Sequence, residues 1–325
     1  MVTRFASPIV AMAVIFSAGV LALAGCSGPE TSSSPGSQSP PRASASPSAS
    51  PSPSPMALAA YRQLLTQINT TLAADMRQLE FARTSSSVSN AATVLGDTLT
   101  QDARLLTSVT APIPLRSAQA ALISALNDLS SDVQNTVSAA SASQVCAGPS
   151  AVTMVSRFRG AAELRSAAAL LAVADPAGTR IGSYLPPVTA DPNRRLANGT
   201  LVKAPALRGL GQLTIDNSQN STDTVVSLVP GGSHAAALAI YVRAGASATA
   251  DGIADGSYQV YVTSGSDWSA RQRLFTRDCN FEQLDQPVAF TTTATQYTTE
   301  QLTLYPVIDG NVSESSVSPD QFPAS

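Results

Sequence analysis

Past residue 55 the apolar positions recur every three or four residues; past residue 209 they recur every two. Over residues 56–83, Leu58, Tyr61, Leu65, Ile68, Leu72, Met76 and Leu79 line one face of a helix. Val88, Ala92, Leu95, Leu99, Ala103 and Leu106 do the same over 87–109, and Ala111-Pro112-Ile113-Pro114 stops that run. A third helix over 115–143 uses Leu115, Ala118, Leu122, Leu126, Leu129, Val133 and Val137. A fourth, after Gly148-Pro149, uses Val152, Val155, Phe158, Ala162, Leu170 and Val173. Four amphipathic helices with short connections predict an antiparallel four-helix bundle over 56–175. The small residues Gly160-Ala161-Ala162 and Ala167-Ala168-Ala169 imply close backbone packing of the fourth helix.

Between the two periodicities, residues 176–208 carry Pro176, Gly178, Pro186-Pro187, Pro192, Asn198-Gly199 and Pro205. So long a stretch without periodicity reads as a linker between domains. Ile181, Tyr184, Leu185 and Leu201 give it the character of a covering strap. Short strands rich in Val, Ile, Thr, Tyr and Phe follow at 213–216, 224–229, 237–242, 246–250, 258–263, 273–276, 288–293 and 301–307, separated by Gly and Asp-Gly turns. This spacing predicts an antiparallel β-sandwich over 209–323. The expected fold class is α+β in two domains, bundle first and sandwich second.

Ahead of the bundle, residues 1–25 have the parts of an export signal: Arg4, an apolar run from Ile9 to Leu23, and small residues at the end. The run of about 15 residues, with Gly19 and serines inside it, is short of the roughly 20 that span a bilayer. Leu23-Ala24-Gly25-Cys26 resembles the lipobox of bacterial lipoproteins, which implies a diacylglycerol and acyl anchor on Cys26 and cleavage before it. Paired acyl chains anchor stably where one does not. Residues 26–55 are a Ser/Pro/Ala-rich tract that cannot form a core and extends, at about 3.1 Å per residue, to on the order of 90 Å. The expected location is the outer, extracytoplasmic face of the cell membrane.

Composition narrows the partners. The chain has 19 Lys plus Arg, a single lysine among them, against 22 Asp plus Glu, and a formal charge of −3. Neither nucleic acid nor an anionic lipid surface is favoured by that balance. Three cysteines less the lipidated Cys26 leave Cys146 and Cys279, an even pair expected to form a disulfide in an exported protein, with free buried thiols as the alternative.

Candidate chemistry is sparse. The helices hold no histidine, and Asp128 and Asp132, four apart, read as a solvated face, so no metal or other cofactor is expected. His234 follows Gly231-Gly232-Ser233 in a turn without the geometry of a catalytic triad. Asp251-Gly252 and Asp255-Gly256 are hairpin chemistry before they are calcium ligands. One constellation has binding character: Asp267 and Trp268 with Arg271, Arg273, Arg277 and Asp278 combine Trp and Arg, residue types that dominate interface hot spots. The alternative is a Trp that plugs the edge of a small core.

Leu213-Thr214-Ile215-Asp216-Asn217, Ile240-Tyr241-Val242-Arg243-Ala244-Gly245, the stretch from Gly252 to Tyr258, Asp267-Trp268, Phe275-Thr276-Arg277-Asp278-Cys279 and Thr303-Leu304-Tyr305-Pro306-Val307 resemble a C-terminal β domain of uncharacterised actinobacterial lipoproteins. The hairpin Gly252-Ile253-Ala254-Asp255-Gly256-Ser257-Tyr258 is similar to that of carboxypeptidase-regulatory-like and PEGA-type sandwiches, which implies an accessory module without catalysis. The expectation is a monomeric, membrane-anchored, non-catalytic binding module with a cell-wall or envelope protein partner. A purely architectural surface protein and a hydrolase with an unrecognised site are the alternatives.

Overall fold

Helix α1, Leu58–Phe81, buries the predicted stripe from Tyr61 to Leu79, while Leu58 at its first turn stays exposed. The computed structural model describes residues 54–178, 180–206, 208–305 and 313–323. The signal segment 1–25, Cys26 and nearly all of the spacer lie outside the described residues, as do residues 306–307 of the last expected strand. No described helix is long and apolar enough to cross a membrane.

Helix α2, Ser85–Ser108, starts at a capping box: Thr84 Oγ1 accepts from Ser87 N at 3.1 Å and Ser87 Oγ accepts from Thr84 N at 2.9 Å. At its other end the chain turns through Pro112 into α3, Arg116–Ser141. Gln119, 7% exposed, stitches this corner. Its Nε2 donates to the Leu106 and Val109 carbonyls and its Oε1 accepts from Ala111 N, which satisfies groups the ending helix leaves open.

The expected fourth helix is two, α4, Gly148–Arg157, and α5, Arg159–Ala174, separated at Phe158, whose backbone is extended. The break resets the helical phase. Ala161, Leu164, Ala167 and Leu171 are buried, whereas Leu170 and Val173, predicted for the core face, are 53% and 81% exposed. Asp132 of α3 is not a solvated acid either, because its Oδ2 accepts from Gly160 N at 2.8 Å beside the start of α5.

Gly160 also explains the close packing expected here. A Cβ on it would lie 2.3 Å from the Leu129 backbone N. Gly160→Ala is therefore expected to force α3 and α5 apart and to cost about 1–3 kcal/mol, read as a lowered urea midpoint; an unchanged midpoint would refute the close-packing account.

The strands form two sheets. The larger runs β1 (Leu201–Lys203), β4 (Leu238–Val242), β3 (Asp223–Pro230), β6 (Gly256–Ser269), β7 (Leu274–Leu284) and β10 (Glu314–Ser316), with β8 (Val288–Phe290) also on β6; all its pairings are antiparallel. The smaller holds β5 (Ser247–Ile253), β2 (Gly211–Asp216) and β9 (Thr299–Thr303). There β2 and β9 run parallel, a departure from the wholly antiparallel arrangement expected.

Leu213 and Ile215 from the small sheet share one apolar cluster with Val226, Leu228, Ile240 and Val260 from the large one. The opposite face of the large sheet is covered too. Val225, Ala239 and Tyr241 pack with Trp268, Phe275, Cys146 and Cys279, and Leu196 and Val202 of the strap lie against them. Strands β3 and β4 are thus buried on both faces, which fits the wholly apolar β4 and the Val225-Val226 and Leu228-Val229 pairs of β3. Residues 53–325 make up one compact unit, with the helices and both sheets inside it.

Candidate functional site

The constellation around Trp268 is where the helices meet the large sheet. Trp268 is 3% exposed, packed edge-on against Phe275 at 5.0 Å and Tyr241 at 5.7 Å. Asp267, 2% exposed, accepts from Arg194 N, Nε and Nη2 at 3.0, 2.8 and 2.6 Å and from Thr276 Oγ1 at 2.6 Å. Thr276 in turn shares a 2.6 Å hydrogen bond with Ser150 of α4. Burial works against the Asp267 charge, but the bonds from Arg194 and Thr276 outweigh it and its pKa falls. A second strap arginine repeats the device: Arg195 pairs with Asp223, which also accepts from the Tyr241 hydroxyl and Ala244 N.

The two remaining predicted contacts sit in the β6–β7 hairpin, which docks on the end of α1. The Arg271 guanidinium lies 4.6 Å from the Phe81 ring centroid and 3.4 Å from a Glu80 carboxylate oxygen. Gln272 Nε2 donates to the Glu80 carbonyl at 3.2 Å, and Arg83 donates back to the Gln272 carbonyl at 2.8 Å. Arg273 takes a left-handed conformation, φ 56°, to close the hairpin. Of the four residues, Asp267 and Trp268 are buried and Arg271 and Arg273 are exposed. Asp267 and Trp268 are interior because the strap and the helix end supply their partners, and Arg271 is engaged by α1.

Cys146 and Cys279 are at disulfide distance, 2.13 Å between sulfurs, across a sequence separation of 133. Cys146 lies in the α3–α4 connection, and Cys279 lies inside β7 rather than after a strand. The connection runs along β7, with Cys146 N donating to the Thr276 carbonyl at 2.9 Å and Cys279 N to the Ser143 carbonyl at 3.1 Å. Ser143, Asp267, Arg273 and Asp278 are the non-glycine residues at positive φ among those described, and all four lie at this junction.

A cleft of about 300 Å³ adjoins this junction, with Arg83, Cys146, Arg273 and Phe275 in its wall, and two larger ones lie along the helices. The larger, about 570 Å³, opens between α1, α4 and the strap, where Ala73, Met76, Val152, Tyr184, Pro192 and Arg194 contribute to its wall. The smaller of the two, about 470 Å³, lies along α1 and α2 and includes Asp102. Asp102 is 8% exposed, and among the described residues its buried Oδ2, Asp75 Oδ2 and the Tyr184 hydroxyl have no hydrogen-bond partner. Burial, then the nearby Asp75 charge, raises Asp102 to about 6. Burial, then the Asp102 charge, pushes the Tyr184 phenol up.

An unfolded aspartate titrates near pH ~3.9, so between there and about pH 6 the folded chain binds more protons than the unfolded one. This contribution to stability is complete below that window and lost as pH rises through it. Asp102→Asn is expected to stabilise the protein at pH ~8 by about 2 kcal/mol and to flatten the decline from pH ~4 to ~7. Urea unfolding across that range checks it; a variant with the wild-type pH slope would assign the decline elsewhere.

The other chemical candidates resolve into local structure. Ser233 Oγ accepts from Ala235 N at 3.0 Å and donates to its carbonyl at 3.1 Å, so its hydroxyl serves the turn. Asp255 accepts from Thr292 N at 3.0 Å and Oγ1 at 2.7 Å. Among the described residues no three His, Cys, Asp or Glu side chains come together as a metal-binding group. Sequence reasoning passed over Arg194, Arg195 and Asp223, whose pairing joins the linker to the sheet. Adjacent Arg194-Arg195 in a proline-rich stretch was the available signal. No family model, curated protein or solved structure matches the chain.

Proposed function

We propose that this chain is a lipid-anchored protein of the outer face of the cell membrane whose folded part is a non-catalytic interaction module. The observation that carries the reading is Leu23-Ala24-Gly25-Cys26 placed directly before a Ser/Pro-rich tract and then a folded unit. Cys26 bears the diacylglycerol and acyl anchor, the tract spaces the folded part from the membrane, and the partner is a cell-wall or envelope protein. No cofactor, nucleic acid or second copy is required. In this reading α4 and α5 together serve as the fourth arm of a four-helix bundle, and the two sheets face each other as a sandwich. The saturated hydrogen bonding of Asp267, Thr276 and Ser150 supports a structural rather than a catalytic role for the polar junction. The cleft of about 570 Å³ between α1, α4 and the strap is the surface offered to the partner.

Metabolic labelling with an alkyne fatty acid, followed by membrane fractionation, tests the anchor. Wild type should carry label and sediment with membranes, and Cys26→Ala should lose both; label retained in the variant would end the reading. Pull-down from envelope extract with wild type and with Ala73→Arg, which fills the cleft, tests the module. A partner lost in the variant supports it, and no partner at all favours the architectural alternative.

A further inference from the structure

We propose that the cleft along α1 and α2 binds a small zwitterion with a primary ammonium group, in size between an amino acid and a dipeptide. The inference is independent of the anchor at Cys26 and of the cleft beside the strap. The α1–α2 cleft holds about 470 Å³, within the range of small-molecule pockets. Gln67 and Thr71 from α1 and Thr98, Gln101, Asp102 and Arg104 from α2 give it a wall of two hydroxyls, two amides, one carboxylate and one guanidinium.

Asp102 carries the argument. It is 8% exposed, it is the only acid in the wall, and its buried Oδ2 has no hydrogen-bond partner among the described residues. A carboxylate held this way is costly unless a donor reaches it. Its electrostatic neighbours, Asp75 on α1 and Tyr184 from the strap, supply no positive charge. An ammonium group does, and its three donors match the carboxylate together with the hydroxyl and amide oxygens nearby.

Arg104 sets the other end. Exposed, and without an ion pair among the described residues, it is the cleft's only cation and suits a carboxylate. A bare metal ion fits less well, since one acid and one guanidinium share the wall. A ligand carrying both charges satisfies both side chains at once.

Calorimetric titration of the full chain with dialanine, N-acetyl-dialanine and dialanine amide tests this. Dialanine should bind. Affinity should fall about tenfold or more on N-acetylation and in Asp102→Asn, and about tenfold for the amide and in Arg104→Gln. The N-acetyl arm needs no variant, so a folding defect cannot mimic the result. Absence of binding to dialanine, equal binding of its N-acetyl form, or a larger response to calcium chloride than to dialanine would overturn the proposal.

Discussion

Asp267→Ala is expected to cost the fold about 3–5 kcal/mol, a large share of the roughly 5–15 kcal/mol that holds an ordinary domain folded. The carboxylate is wholly buried and joins three parts of the chain: Arg194 in the strap, Thr276 in β7 and, through Thr276, Ser150 in α4. Alanine would strand a half-buried guanidinium, a buried hydroxyl and the Arg194 backbone N–H together. Asp267→Asn keeps the shape and a carbonyl acceptor but removes the charge, and should cost less. The pH dependence has a definite sign. Because the folded pKa lies below its ordinary value, the contribution is present above the unfolded pKa near ~3.9 and lost as pH falls through the folded one. Urea unfolding at neutral pH reads the loss; an alanine variant within about 1 kcal/mol of wild type would show that this junction contributes little.

Removing the disulfide is expected to be comparably severe. The bridge closes a sequence separation of 133, for which chain-entropy reasoning gives about 5 kcal/mol at room temperature. Both sulfurs are buried and the backbone beside them is already paired, so Cys146→Ser with Cys279→Ser should lower the urea midpoint without changing the fold. Reduced wild type should behave like the double variant. If reduction leaves the midpoint unchanged while mass spectrometry shows two free thiols, the bridge adds nothing to stability.

Helix legibility was high wherever one face met one core. The stripes from Tyr61 to Leu79 and from Val88 to Leu106 are buried as their spacing predicts. Phe158 is illegible in the sequence, because a single extended residue rotates everything after it and is itself neither proline nor glycine. Strands were found for the same reason helices were, yet their partners were not: β2 pairs in parallel with β9 across a large sequence distance, and local alternation says nothing about direction. Trp268 is the buried plug that the structural alternative expects, and what local sequence leaves out is its partners. Asp267 and Arg271 look like free surface groups until Arg194 and Glu80, far away in sequence, are brought alongside. Cys146 and Cys279 were paired by counting alone, which needed no geometry.

The two-sided burial of β3 and β4 fixes how the protein can be divided. A fragment of residues 209–323 alone would keep the sheets except edge strand β1 and lose Leu196, Val202, Arg194, Arg195 and the helix connection that cover Tyr241 and Trp268. Its bared face would be apolar around an uncompensated Asp223 and Asp267, a recipe for association rather than solubility. The segment between helices and strands is therefore a shared wall, and boundaries for expression, fusion or antibody display belong before α1, not within residues 176–208.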